Sequence, residues 1–327
     1  MTTSVDSQVP EAVYVVLHMS NGPTKADVAA GIRIIVETGD PPFRLTEDIW
    51  MERFDKELGK KIETACSPAH YNISDASYDR HLYAFVRKVP SSEKSKYEGM
   101  SVLAGLIALS RLVHPTSTGD RYCARIFRYG DPNSIIEAVR FFGVSPDISL
   151  IDGRRDWLSA ADGQTLLKLV PWLTQKMHGR VHHAYWNHES AMRSYYLDVK
   201  WTLVVSAFEA LMNTREDYVG MQFRERVKQL ADHFGISLTI DELKKVYKLR
   251  SGLLHSQKFL FELDTVLPTQ EHVALYGRLE TLLRKTLLEC LLDVKFGAYF
   301  QDVSSVDGRW PVNFPAPKKG HQKKHKP

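Results

Sequence analysis

Arg250 and His255 lie five positions apart in the stretch YKLRSGLLHSQ, residues 247–257, which is otherwise largely apolar. Histidine titrates near neutral pH, so it can take a proton from one group and give it to another. Arginine stays charged and presents a planar fork of N–H donors that fits phosphate oxygens. The two side chains are therefore a candidate catalytic pair; the alternative is a packed helix that carries two incidental polar residues.

The angular separation of this pair decides how the two side chains can meet. On a straight helix, five residues correspond to about 140° of rotation and roughly 7.5 Å of rise. Val246, Leu249 and Leu253 recur at helical spacing and define the direction of the core. Relative to that direction, Arg250 falls about 50° away and His255 about 170° away. We therefore expect Arg250 to skirt the core and His255 to point outward.

Two arrangements would bring Arg250 and His255 together. The helix can end or bend at Gly252, which is followed closely by the polar run HSQK. Alternatively, the two side chains converge between protomers. In the competing interpretation, Arg250 pairs with an acid such as Glu209 inside one bundle, and His255 is a surface residue.

The second half of the chain carries apolar residues at the spacing of long helices. We place a boundary near residue 155 and expect helices with short connections, which favour an antiparallel bundle over residues 156–305. Thr239 is the expected N-cap of the third of these helices, and Gly235 is a stop signal for the helix before it. The main helical stretches that the pattern predicts are 184–213, 218–236, 239–255 and 271–300.

These helices carry a family resemblance over roughly residues 185–300. The segments VVSAFEALM, QFRERVKQLADHFG, VYKLRSGLLHS and LLRKTLLECL, in this order and spacing, resemble a HEPN domain of the Apea-like group. That resemblance implies a four-helix antiparallel bundle. It also implies a metal-independent ribonuclease of the kind found in toxin–antitoxin, phage-defence and stress systems.

The resemblance assigns roles to individual residues. Arg250 and His255, with four residues between them, match the catalytic Arg-x4-6-His signature, and Tyr247, Ser251 and Glu209 occupy supporting positions of the motif. RNA supplies its own 2′-OH nucleophile, so a base, an acid and a positive charge suffice without metal. Because one histidine serves poorly as both base and acid, the family's dimer would bring two motifs face to face.

Many HEPN domains have lost ribonuclease activity, so the resemblance is also compatible with a protein that is not an enzyme. The chain can be a non-catalytic module that binds nucleic acid or a protein partner. A neutralising or sensing protein partner is also consistent with the family. In the catalytic reading the partners are RNA, as substrate, and a second copy of the chain.

The N-terminal half is expected to be separate and mostly helical, with a few strands, over residues 11–155, after a flexible start at 1–10. Residues 12–19 and 81–89 are rich in β-branched and aromatic residues and predict strands. Residues 46–66 and 95–115 predict helices, the first capped by Thr46 and the second stopped by Pro115. The sequence predicts no definite element between 116 and 154. This region can be a sensor that gates the bundle.

Residues 306–327 are expected to form a proline-containing segment that leaves the helical bundle, followed by a basic tail. The net charge of the chain is +4, but without the five tail lysines 38 basic residues face 39 acidic ones. Such a tail can hold nucleic-acid phosphates or can be a disordered, solubilising segment. Its lysines are Lys318, Lys319, Lys323, Lys324 and Lys326.

Several classes of function are disfavoured by the sequence. No secretory signal is visible and the longest apolar run is too short to span a bilayer, so we expect a cytoplasmic protein without membrane contact. The spacing of histidines in HHAYWNHES does not stack ligands on one helix face, and no HExxH or Gly-rich phosphate loop is present. We therefore expect neither a metal nor a cofactor, and three widely spaced cysteines fit a reducing compartment.

Overall fold

The N-terminal part is built around a six-stranded antiparallel sheet with the strand order β2-β3-β4-β1-β5-β6. Its strands are β1 (Glu11–His18), β2 (Phe43–Arg44), β3 (Ile49–Arg53), β4 (Tyr83–Lys88), β5 (Gly119–Phe127) and β6 (Ile135–Arg140). The predicted strands at 12–19 and 81–89 are confirmed as β1 and β4. The sheet is larger than the sequence predicts, since β5 and β6 lie where no element was assigned.

These observations come from a computed structural model, in which some parts of the chain are described and others are not. The described residues are 11–18, 24–36, 42–53, 55–66, 83–88, 98–116, 119–140, 151, 155, 157–255 and 269–315. The N-terminal residues 1–10 and the five tail lysines fall outside these ranges, so the predictions made for them stay predictions.

The predicted helix at 46–66 is wrong in its first part. Residues Ile49–Arg53 form β3, which pairs with β4 and places Trp50 opposite Val86. Thr46 does cap, but it caps a turn: its Oγ1 accepts a hydrogen bond from the Ile49 N–H at 2.9 Å. Only the remainder is helical, as α2 (Lys56–Cys66). Cross-strand partners nearly forty residues away override the helical spacing of the local apolar residues.

Two further helices accompany the sheet, the short α1 (Lys25–Ala29) and the long α3 (Glu98–Val113). The prediction for α3 is confirmed, including its end before Pro115. Leu103, Leu106 and Ile107 are each 0% exposed. Helix α3 contacts strands β1, β4 and β5, and it also contacts α4 (Ala160–Leu169) and α9 (Thr269–Leu292). It therefore lies between the sheet and the C-terminal helices.

In the described part of the C-terminal half every regular element is a helix, which confirms its expected helical character. The antiparallel four-helix bundle stays a prediction. After α4 come a 3₁₀ helix, Val170–Leu173, and then α5 (Gly179–Arg193), α6 (Leu197–Met212), α7 (Val219–His233), α8 (Ile240–His255), α9, α10 (Val294–Ala298) and α11 (Val303–Arg309). Helix α6 contacts each of α5, α7, α8 and α9, so it is central to this packing. One apolar core continues from Phe85 on β4 to Trp310 after α11.

Two predicted helices are each divided in the structure. The stretch 184–213 breaks at residues 194–196 into α5 and α6. The stretch 271–300 breaks at Asp293, whose side chain accepts from the Lys295 N–H at 2.8 Å and caps α10. The stop at Gly235 is confirmed, with φ at +65°. Cys290 is 4% exposed and belongs to the core, as its neighbouring leucines suggested.

The described helices include none that is long and apolar enough to cross a membrane.

Candidate functional site

The start of α8 is fixed by a capping box that the sequence predicted in part. The Thr239 N–H donates to Glu242 Oε2 at 2.7 Å, and the Glu242 N–H donates to Thr239 Oγ1 at 3.2 Å. Glu242 also accepts from Arg278 on α9 at 2.7 Å. The capping box fixes the residue at which α8 begins. It thereby also fixes which residues of α8 face the core.

The buried face of α8 places Arg250 at the edge of the core. Leu243, Val246 and Leu249 are 0%, 0% and 1% exposed, respectively. The side chain of Arg250 retains 19% of its accessible surface, which matches the expected position beside the core. The side chain is therefore largely withdrawn from water but not fully buried.

Arg250 forms an ion pair with Glu209 on α6. Its Nη2 donates to Glu209 Oε2 at 2.8 Å, and the Glu209 side chain is 14% exposed. The pairing that the sequence allowed is thus confirmed. Arg250 Nε and Glu209 Oε1 are both buried without a hydrogen-bond partner. The pair holds the guanidinium in place through one nitrogen and leaves further hydrogen-bonding capacity on both sides.

Tyr247 lies one turn before Arg250 on α8 and forms a cluster with Arg250 and Glu209. Its ring centroid lies 5.9 Å from Arg250 Cζ and 5.5 Å from the ring of Phe223 on α7. Burial, followed by the negative charge of Glu209, raises the pKa of the Tyr247 phenol. Tyr247 thus places a phenol O–H beside the carboxylate of the ion pair.

Gly220 is a residue of this cluster that sequence reasoning missed. A Cβ atom at this position would lie 2.8 Å from Tyr247 Cε1, closer than packed atoms approach. The glycine at the start of α7 thus makes room for the tyrosine ring. The sequence signal was a glycine in a helical pattern, where it costs about 1 kcal/mol relative to alanine and calls for a packing reason.

Of the two arrangements that would bring Arg250 and His255 together, an end of the helix at Gly252 is not found. Helix α8 continues through Ser251 and Gly252 and ends at His255. Ser251 and Gly252 are half-buried, and Leu253 packs against the core, which holds the glycine in the helix. The separation of about 140° between positions 250 and 255 therefore stands within one chain. The side chain of His255 is not among those described.

In the histidine-rich stretch of α5, His188 and Glu189 belong to buried networks of charged and polar side chains, whereas His182 and His183 are exposed. His188 Nε2 lies 2.9 Å from Glu280 Oε1, and both side chains are at most 1% exposed. Glu189 accepts from Arg111 on α3 and from Arg193 on α5, the latter at 2.6 Å. Within the described ranges, no three His, Cys, Asp or Glu residues are grouped so that they could hold a metal ion.

Neither network was predicted from the sequence. The spacing of four residues between Glu189 and Arg193 was the available signal, because such pairs lie on one helix face. The partners Arg111 and Glu280 are 78 and 92 residues away from Glu189 and His188, so no local pattern could assign them.

Comparison with known proteins returned no matching family model, no matching curated protein and no matching solved structure. The resemblance to HEPN domains thus rests on the sequence segments quoted above.

Proposed function

We propose that the protein is a metal-independent endoribonuclease of the HEPN type that acts as a homodimer. The observation that carries this proposal is Arg250, whose side chain is not fully buried and which Glu209 holds through a single nitrogen. A fixed arginine whose remaining N–H groups are not consumed by its carboxylate partner is suited to bind a phosphate.

The proposed chemistry divides the work between two residues. Arg250 would bind the scissile phosphate and stabilise the charge that develops when the RNA 2′-OH attacks phosphorus. His255 would carry the proton that must leave the 2′-OH or reach the departing 5′-oxygen. Glu209 would orient Arg250, and Tyr247 would restrict its guanidinium from the other side.

The continuous α8 supports a dimeric site. Because Arg250 and His255 are separated by about 140° on one helix, a single chain does not aim both at one phosphate. A second copy related by a two-fold axis would place the histidine of one protomer near the arginine of its partner. Two histidines would then be present, one to act as base and one as acid.

A ribonuclease assay in EDTA tests this proposal. We expect wild-type protein to cleave single-stranded RNA, and Arg250→Ala and His255→Ala to lose about 100-fold or more in rate. Arg278→Ala is the matched control, because Arg278 also forms a helix-to-helix ion pair, at 2.7 Å, with a glutamate of α8. Equal cleavage by all four proteins would refute the proposal.

The alternative function is a HEPN module without catalysis that binds nucleic acid or a protein partner. It is favoured by one observation: the Arg250–Glu209 ion pair already gives the arginine a structural role within one chain. The module predicts that purified protein binds RNA or a partner without cleaving RNA. Absence of cleavage together with retained RNA binding that weakens in Arg250→Ala would favour it.

The setting we propose is a defence or stress response, as the resemblance implies, in the cytoplasm, as the three widely spaced cysteines favour. The basic tail would add phosphate contacts without sequence preference, and salt would weaken those contacts strongly.

A further inference from the structure

Tyr247 lies at the centre of a group of positive charges on α7 and α8. Lys244 and Arg250 are three residues before and after it, so both are its neighbours on the surface of α8. Gly220 of α7 faces the tyrosine ring, and Arg224 is one turn further along the same side of α7. Arg224 is close enough for its charge to act on the Tyr247 phenol. Two helices therefore bring three cations around one ring.

Most of this positive charge is not matched by a carboxylate. The ion pairs that involve α7 and α8 are Arg226–Asp307, Lys228–Asp232, Arg250–Glu209 and Arg278–Glu242. Among the described residues, Arg224 and Lys244 take part in no ion pair or side-chain hydrogen bond. Arg224 is half-buried, and none of its nitrogens is a buried atom without a partner, so the guanidinium keeps contact with solvent. The same holds for Nη1 of Arg250, whereas its Nε is buried.

The positive surface continues along the outer side of α8. Lys244 and Lys248 are both exposed, and on a helix they are about 40° apart in rotation and about 6 Å apart along the axis. Position 255, eleven residues after Lys244, comes back to within about 20° of the same direction. Asp241 is the acidic neighbour of this row, and it forms no ion pair with the lysines in the described structure. The row thus leads along α8 towards the end at which it carries His255.

We infer that this surface, formed by Arg224, Lys244, Lys248 and Arg250, binds the backbone of a single-stranded RNA. The planar forks of the two arginines suit phosphate oxygens beside Tyr247, and the lysines act as point charges for the neighbouring phosphates. A row of unmatched cations along one helix fits a polymer with regularly repeated negative charge better than one small anion. The inference rests on the proposed function for the choice of RNA, and it assigns substrate binding to three residues beyond Arg250.

Binding of a fluorescent 2′-O-methyl RNA to the full chain, followed by anisotropy at several salt concentrations, tests the inference. This RNA lacks the attacking hydroxyl, so binding is measured without cleavage. Arg224→Ala should weaken binding by about fivefold or more and reduce the slope of log K against log salt by about 0.7, the value for one phosphate contact on a single strand. Replacing both Lys244 and Lys248 by alanine should reduce the slope by about 1.4.

Lys168→Ala is the matched control. Lys168 is exposed on α4, forms no ion pair with the described residues, and should bind RNA with the affinity and slope of wild type when replaced. Because the C-terminal lysines are present in every variant, their contribution cancels in the comparison. Arg224→Ala should also keep the unfolding temperature of wild type, since its side chain holds no partner in the fold.

The outcomes separate this inference from the ribonuclease. RNA binding that weakens as expected in the variants, with no cleavage of ordinary RNA by wild type, would support the binding surface and refute the enzyme. Cleavage by wild type together with an unchanged affinity and salt slope in Arg224→Ala would overturn the binding surface alone. Absence of RNA binding by wild type, or equally tight binding of a polyglutamate peptide, would also overturn it.

Discussion

Arg250 on α8 donates to Glu209 on α6 at 2.8 Å, across 41 positions of sequence. The pair is mostly withdrawn from water, with side-chain exposures of 19% and 14%, so its strength should exceed that of a surface ion pair. A double-mutant cycle of Arg250→Met and Glu209→Gln, followed by urea unfolding, should give a coupling energy of about 1–3 kcal/mol.

The more exposed pair of Arg278 and Glu242 provides the control cycle, with exposures of 35% and 27%. Its coupling energy should be about 0.2–1 kcal/mol. If the two cycles gave equal values, burial of the Arg250 pair would have no energetic effect.

A second prediction concerns glycines in the last two helices. A Cβ at Gly297 would lie 2.6 Å from the Cys290 carbonyl oxygen, a backbone atom that cannot move away cheaply. Gly297→Ala should therefore lower the free energy of unfolding by about 1–3 kcal/mol. Gly308, in α11, has no atom within 4 Å of the same position, and Gly308→Ala should be neutral or stabilising by up to about 1 kcal/mol. Thermal unfolding in which both variants behaved alike would contradict this account.

A third prediction concerns Arg226, a 0% exposed arginine on α7. Its Nε donates to the Trp310 carbonyl at 2.9 Å, and its other nitrogens donate to the Met212 carbonyl and to Asp307. Lysine cannot span these acceptors, because it lacks the planar fork. Arg226→Lys should lose roughly 3 kcal/mol of stability and make the segment after α11 sensitive to protease.

Lys228→Ala on the same helix is the control for Arg226→Lys. Lys228 pairs with Asp232 at the surface, with exposures of 31% and 61%, so its removal should cost less than about 1 kcal/mol. Protease digestion of the two variants under native conditions distinguishes them. Equal resistance of the C-terminal segment in both would show that Arg226 does not secure it.

A fourth prediction concerns pH. Burial alone would raise the pKa of the Glu280 carboxyl, but the charge of Arg284 and the hydrogen bond from His188 lower it below the ordinary value of 4.5. As the pH falls below that value, the unfolded chain takes up the proton first. The stability contributed by this carboxylate is therefore complete above pH 4.5 and is lost as the pH drops through the folded pKa.

Glu280→Gln tests this dependence in urea titrations between neutral pH and pH 3. At neutral pH the variant should be less stable than wild type by about 3 kcal/mol, because Arg284 and His188 lose their buried partner. The gap should narrow as the pH falls, because wild type then also loses the charge. A gap that stayed constant over this range would refute the assignment.

The sequence predicted the elements that local signals define. The cap at Thr239 and the stop at Gly235 were predicted from residue type and spacing, and the pairing of Arg250 with Glu209 was one of the alternatives considered. Position 250 was also expected at the edge of the core, since the leucines and valine of α8 recur at three and four. These features depend on neighbours within one helix or on a simple need to neutralise a partly buried charge.

Other features depend on partners that the sequence places far away. Trp50 lies in β3 because β4 pairs with it, although its own neighbours carry a helical pattern. The break between α5 and α6 has no glycine or proline to mark it. The second contact of Glu189, with Arg111, is created only when α3 packs against the C-terminal helices. Tertiary contacts decide such cases over local preference.

The ion pair of Arg111 and Glu189 has a consequence for how the two halves of the chain can evolve. It joins α3, before residue 155, to α5, after it, and both side chains are at most 3% exposed. If recombination replaced either half with an unrelated one, this buried contact between the halves would be lost. The halves are thus expected to be inherited together.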